Sequence, residues 1–159
     1  MICGLDNEYG VNAPFYNMED GSVMTVFRYK EQHQSYPGRV HGGMITAMLD
    51  EMGLRSLWAK ELSEETFGVT ISLDTKYRKP VPYETELIGR GVVVKNTSHF
   101  IITDSYIMDK DGEILANGRI KYIKMDTQKI QEGVEVHEEM PYLVEDGRTE
   151  IEGPFFDNL

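Results

Sequence analysis

The run Val40-His41-Gly42-Gly43-Met44-Ile45-Thr46-Ala47-Met48-Leu49-Asp50-Glu51-Met52-Gly53 limits the fold of this chain more than any other stretch. Apolar side chains fall at 44, 45, 48, 49 and 52, then at 54, 57 and 58. That is the spacing of an α-helix with one buried face, and it predicts the chain's one long helix, ending near Lys60. Two glycines stand at its first turn. The opening N–H groups of a helix have no partner within it. Glycines leave them unshielded, and such an end draws an anion or a developing oxyanion. Two turns later Asp50 interrupts the apolar stripe. A buried carboxylate is costly without compensation, so Asp50 is a candidate for chemistry. Its plain alternative is a structural carboxylate bonded to Thr46 or to backbone.

Asp50 lies seven residues beyond Gly43, about 10 Å along the axis at ~1.5 Å per residue. An Asp side chain cannot reach back that far, so one copy of the helix cannot bring both groups to one reacting carbon. A second copy, antiparallel across a two-fold axis, can. If the two groups serve one reaction, the site is composite and the protein at least a dimer.

The rest of the chain predicts what the helix packs on. Residues 1–21, rich in Gly, Asn, Asp and Pro, read as irregular. Ser22 to Lys30 alternates as a strand, with Val23, Thr25, Phe27 and Tyr29 on one side. A polar loop with a Pro37-Gly38 turn enters the helix, and Glu61 to Thr66 connects onward. Phe67 to Tyr77 is the clearest strand, with Phe67, Val69, Ile71, Leu73 and Tyr77 on one face and Thr70, Ser72, Asp74 and Lys76 on the other. Thr85 to Lys95, His99 to Met108 and Ile114 to Met125 follow as an antiparallel meander. Gly89 and Gly91 mark a bulge or a close contact, and Asp109-Lys110-Asp111-Gly112 is a hairpin signal. Strand, long helix and four strands lack the alternation of a parallel doubly wound sheet. The class is α+β.

Length and charge exclude several functions. The 159 residues suit one domain, here residues 1–125, followed by a tail, 126–159, with ten acids against two bases. The tail is expected to be partly ordered, with a short helix near Asp126–Gln131 and apolar spots at Tyr142-Leu143-Val144 and Phe155-Phe156. Most of the net charge of −11 lies in that tail. A nucleic-acid partner is disfavoured for want of a basic face. No apolar run reaches the ~18 residues of a membrane span, and no leader is read at Met1-Ile2-Cys3. A lone cysteine, Cys3, forms no internal disulfide, so a cytoplasmic setting is expected. No Gly-x-Ser-x-Gly elbow or phosphate loop occurs. His33, His41, His99, His137 and Cys3 show no metal-ligand spacing, and no metal is expected.

One helix, an antiparallel sheet, and His41-Gly42-Gly43 with Asp50 at the ninth position after the histidine together resemble the hotdog fold. In that fold a curved antiparallel sheet of five to six strands wraps one long helix. More narrowly, the chain resembles acyl-CoA thioesterases of the phenylacetate-pathway (PaaI) type. Cys3-Gly4-Leu5-Asp6-Asn7-Glu8-Tyr9-Gly10 looks like the opening of one branch of these proteins. His33-Gln34-Ser35-Tyr36-Pro37-Gly38 looks like their loop before His-Gly-Gly. Gly68-Val69-Thr70 and Tyr77-Arg78-Lys79-Pro80 fall where their second strand begins and ends.

The resemblance implies hydrolysis of a thioester between an acyl group and coenzyme A by a homodimer or homotetramer. No bound cofactor is implied; coenzyme A enters as part of the substrate. Asp50 would be the nucleophile or the base that activates water. The N–H of Gly42, with that of Gly43, would hold the oxyanion in the other subunit, and Thr70 would position the water. Ser35 stands where many relatives have an Asn that orients the thioester carbonyl, with Gln34 or His33 as substitutes. Arg78 and Lys79 would meet the coenzyme A phosphates.

Each residue also has a plain reading. His41 suits a structural ring at the helix entry as well as a base. Gly42 and Gly43 permit close packing. Thr70, Arg78 and Lys79 are ordinary on a solvated strand. Glu51, the rival base, is placed for a surface ion pair with Arg55. The alternative function is a non-catalytic acyl-CoA-binding sensor; a hotdog dehydratase or isomerase ranks last.

Overall fold

The structure is a computed structural model that describes residues 2, 7–60, 66–126 and 150. The expected short helix near 126–131, the acidic tail, the connector at 61–65 and the Cys3-Gly4-Leu5-Asp6 opening lie outside the described residues.

Among the described residues, six strands and one long helix make the fold: β1 (Tyr16–Asn17), β2 (Val23–Phe27), α1 (Gly42–Lys60), β3 (Thr66–Tyr77), β4 (Leu87–Asn96), β5 (Phe100–Met108) and β6 (Ile114–Asp126). They form one antiparallel sheet in the order β1-β2-β4-β5-β6-β3. The α+β architecture expected from the sequence is thus present, with a two-residue edge strand, β1, and a short 3-10 turn at Glu31–His33 besides.

The helix is sunk into the sheet by its predicted stripe. Met48, Leu49 and Met52 are fully buried, and Ile45 and Leu57 nearly so. They meet Phe27 and Tyr29 from the β2 side, Leu87 and Ile107 from the sheet, and Ile120 and Tyr122 on β6. Gly89 and Gly91 mark a close approach. A Cβ on Gly91 would stand 2.3 Å from the main-chain oxygen of Met52, and one on Gly89 2.3 Å from its sulfur. The hairpin at 109–113 forms as read, with Gly112 at φ +82° and the Asp109 carboxylate accepting from the N–H groups of Asp111 and Glu113.

Strand β3 corrects one expectation. Its pairing with β6 slips between Thr70 and Ser72. A bulge inserts one unpaired residue and reverses the alternation that follows. Before it, Gly68 and Thr70 turn toward α1, at Leu57 and Asp50. After it, Leu73, Thr75 and Tyr77 do. Val69 and Ile71, expected on one face with Leu73, are instead 38% and 49% exposed.

Residues 7–15 are irregular, as expected, yet tied down. Val11 and Ala13 are buried in the main core, and Glu8 accepts from Lys30 and Gln32 through its carbonyl oxygen.

Candidate active site

Edge strand β3 runs antiparallel to the first half of α1, and the polar groups of the site lie along that seam. At one end is Asp50, half-buried on α1. Thr70 of β3 donates its hydroxyl to the carboxylate, 3.0 Å from Oδ1 and 3.2 Å from Oδ2. From the sheet floor Tyr122 of β6 places its hydroxyl 3.1 Å from Oδ1 and 2.9 Å from the Asp50 main-chain oxygen. Burial, and then the negative charge of Asp50, push the Tyr122 phenol far above its ordinary pKa, so it is a fixed donor. Thr70 is therefore no ordinary surface threonine. Asp50 bonds to Thr70 and Tyr122 rather than to Thr46.

The helix start lies at the other end of the seam. The His41 ring accepts the Gly43 N–H through Nδ1 at 2.9 Å. It caps the helix in the manner of an Asn or Ser side chain, which disposes of one of the unpaired N–H groups. The His41 carbonyl accepts from Met44 and Ile45. Among the described residues nothing accepts the N–H of Gly42. Of the two glycines expected to donate, Gly43 is thus occupied and Gly42 is available. Gly43 also makes room for the cap, since a Cβ there would stand 3.0 Å from His41 Nδ1. Tyr77 leans over this end, donating to the Gly42 carbonyl at 3.1 Å and sharing a 2.6 Å hydrogen bond with Thr46.

The loop before the helix sorts its polar residues differently from the expectation. His33 is buried, its Nδ1 accepting from the Lys30 N–H at 3.1 Å and its Nε2 lying 2.8 Å from the Tyr9 carbonyl. Nε2 must then carry the proton. Both ring nitrogens are spent on backbone, and His33 is not placed to orient a substrate carbonyl. Gln34 and Ser35 are exposed on a turn closed by Ser35 N–H to Arg39 O, with Gly38 at φ +75°. The His41 N–H bonds the His33 carbonyl at 2.8 Å, tying the base of that turn to the helix start.

The basic pair at the end of β3 is exposed but engaged. Arg78 donates to Asn117 at 2.7 Å, and Lys79 is paired with Glu113. Glu51 does pair with Arg55, at 3.0 Å, but not as a solvated surface pair: the side chains are 16% and 10% exposed. The Arg55 guanidinium lies over Phe15 and Trp58, at 5.0 and 5.2 Å from the ring centres. That shelter takes Glu51 out of contention as the reacting acid.

Sequence reasoning missed Tyr122 and Tyr77. Both read as strand aromatics, and only the pairing of β3 with β6 brings Tyr122 under Asp50. Gly53 carried the one available signal. A Cβ there would stand 2.4 Å from the Tyr122 hydroxyl, so a glycine in mid-helix marks a close approach.

Comparison with known proteins agrees with this picture. A family model described as the thioesterase superfamily matches residues 37–116. Acyl-coenzyme A thioesterase THEM4 of Rattus norvegicus is 26% identical over 127 residues, which is 79% of this chain and 52% of the relative. The chain thus spans about half the length of that relative. A thioesterase superfamily protein of known crystal structure superposes with a TM-score of 0.69 at 24% identity, over 76% of this chain and 61% of that one. A thioesterase protein from Streptococcus pneumoniae, crystallised with coenzyme A, gives 0.64 at 19%, over 72% and 90%. These likenesses bear out the hotdog fold.

Proposed function

The chain belongs to the thioesterase superfamily, and from that premise we propose that it hydrolyses the thioester of an acyl-CoA, at a site shared between two copies. The observation that carries the reading is the Asp50 carboxylate held between Thr70 and Tyr122, on the same seam as the Gly42 N–H, which no acceptor among the described residues takes. The coenzyme A crystallised with the pneumococcal protein and the name of the rat relative support the substrate class.

The atoms balance simply. The thioester carbonyl oxygen receives the Gly42 N–H as negative charge develops on it. Asp50 supplies an electron pair, either to a proton of the attacking water or to the carbonyl carbon directly. In the first case the carbon–sulfur bond breaks as the water's oxygen bonds to the carbon; in the second it breaks to leave an acyl–Asp50 anhydride, which a water then hydrolyses. Either way the thiolate sulfur takes up a proton from that water and leaves as coenzyme A thiol, and the acyl group leaves as a carboxylic acid.

The two groups lie eight residues apart on one helix, about 12 Å of rise. Two copies solve this. Strand β3 is an edge strand of twelve residues, with no strand beside its outer side among the described residues and with Val69, Ile71 and Tyr77 exposed. Such an edge invites a second strand. If two copies of β3 pair antiparallel about the Leu73–Asp74 step, Thr70 of one faces Tyr77 of the other. Asp50 of one copy then approaches Gly42 of its mate.

Asp50→Asn is the test. It is nearly isosteric, so folding is expected to be retained. Thiol release from an acyl-CoA panel should fall roughly 10²–10⁴-fold. Release at the parental rate would overturn the assignment, and binding without release by the parent protein would favour a sensor.

A further inference from the structure

We infer that Tyr122 is the positioning residue that holds the Asp50 carboxylate in its reacting orientation, through a hydroxyl fixed under the helix by the absence of a side chain at Gly53. The inference rests on the proposed role of Asp50 and adds to it. The hydroxyl proton lies between two acceptors of one residue: the main-chain oxygen of Asp50 at 2.9 Å and Oδ1 at 3.1 Å. A donor that spans both ties the side chain to its own helix backbone and fixes the direction of the carboxylate. The Tyr122 ring has no freedom to lose, being fully buried with Leu57, Ile101 and Ile120. Gly53, three residues beyond Asp50 and so on its side of the helix, leaves the hydroxyl its place. A Cβ there would stand 2.4 Å from the Tyr122 oxygen and 2.6 Å from Thr103 Oγ1.

Thr103 completes the arrangement. Its hydroxyl is fully buried and has no hydrogen-bond partner among the described residues. A buried hydroxyl is rarely left so. It lies beside the Tyr122 oxygen, whose lone pairs are free once its proton is committed to Asp50. Thr103 can therefore donate to Tyr122 and keep that proton directed at the acid. Thr70 holds the carboxylate from the exposed edge and exchanges with solvent; Tyr122 holds it from the dry side.

The experiment compares Tyr122→Phe with Asp50→Asn on whichever acyl-CoA the parent turns over fastest. Removing one oxygen should lower kcat roughly 10–100-fold, the range for a hydrogen bond to a charged group. KM should stay within about twofold, because the bond acts on the reacting acid and not on substrate. In the parent, the Tyr122 hydroxyl proton should give a slowly exchanging NMR signal that moves upfield in Asp50→Asn, as its acceptor loses charge. If Asp50→Asn abolishes turnover while Tyr122→Phe keeps its kcat, the positioning role falls and the reacting acid stands. If Asp50→Asn keeps full turnover, both fall. Should Tyr122→Phe fail to fold, the NMR signal decides, and a hydroxyl proton indifferent to residue 50 overturns the inference.

Discussion

At Tyr122 a single proton links the site to the stability of the protein. Burial first, and the Asp50 charge second, raise the phenol's pKa in the folded chain; unfolded, it ionises near pH ~10. Below that pH both states hold the proton, and the contribution is fully present. Above it the native state holds one proton that the unfolded state has lost, so stability falls as pH rises toward the folded value. The slope is about 1.4 kcal/mol per pH unit. Melting temperature above pH ~10 should therefore drop more steeply in the parent than in Tyr122→Phe, by thermal unfolding followed with circular dichroism. Parallel curves would remove the phenol from the account. His41 shows how a residue's plain reading and its functional one meet. Its ring takes the Gly43 N–H, and that leaves the Gly42 N–H as the one the proposed reaction would use.

At the scale of elements, the helix, the long strands and the hairpin at 109–113 were legible because each rests on local chemistry: a three-to-four stripe, alternation, an Asp-Gly turn. Gly89 and Gly91 were legible as a bulge or a close contact; the structure shows the contact, and it sets a prediction. A methyl group on Gly91 would meet the Met52 carbonyl, which is backbone and cannot swing aside. Gly91→Ala should cost about 1–3 kcal/mol, read from the urea midpoint; an unchanged midpoint would show that helix and sheet are free to separate. What was not legible came from pairing. The bulge at Ile71 leaves no trace in the alternation of β3, because it appears only when Thr70 and Ser72 are matched against Tyr122 and Lys121. Tyr122 was invisible as a site residue for the same reason: 72 positions separate it from Asp50. Asp50 and Gly42 could be read because the helix spacing and a family resemblance both pointed at them; Thr70 rested on the resemblance alone.

At the scale of the whole molecule, the proposed two-copy site makes a prediction that no single-chain site shares. Asp50→Asn removes the acid, and Gly42→Pro removes the donor at the first helical position, where proline is well tolerated. Each variant alone should be nearly inactive. Co-assembled at random, half the dimers are mixed, and each mixed dimer has one intact site, so about a quarter of parental thiol release should return. A mixture no more active than its components would place both groups' work within one chain. The glycine contact on the sheet has a last consequence. With the Met52 carbonyl seated on Gly91 and the Met52 sulfur on Gly89, α1 is held like an axle in a fitted bearing, unable to roll about its length. The aim of the acid two residues before Met52 is thus set partly by two hydrogen atoms on a strand some forty positions away.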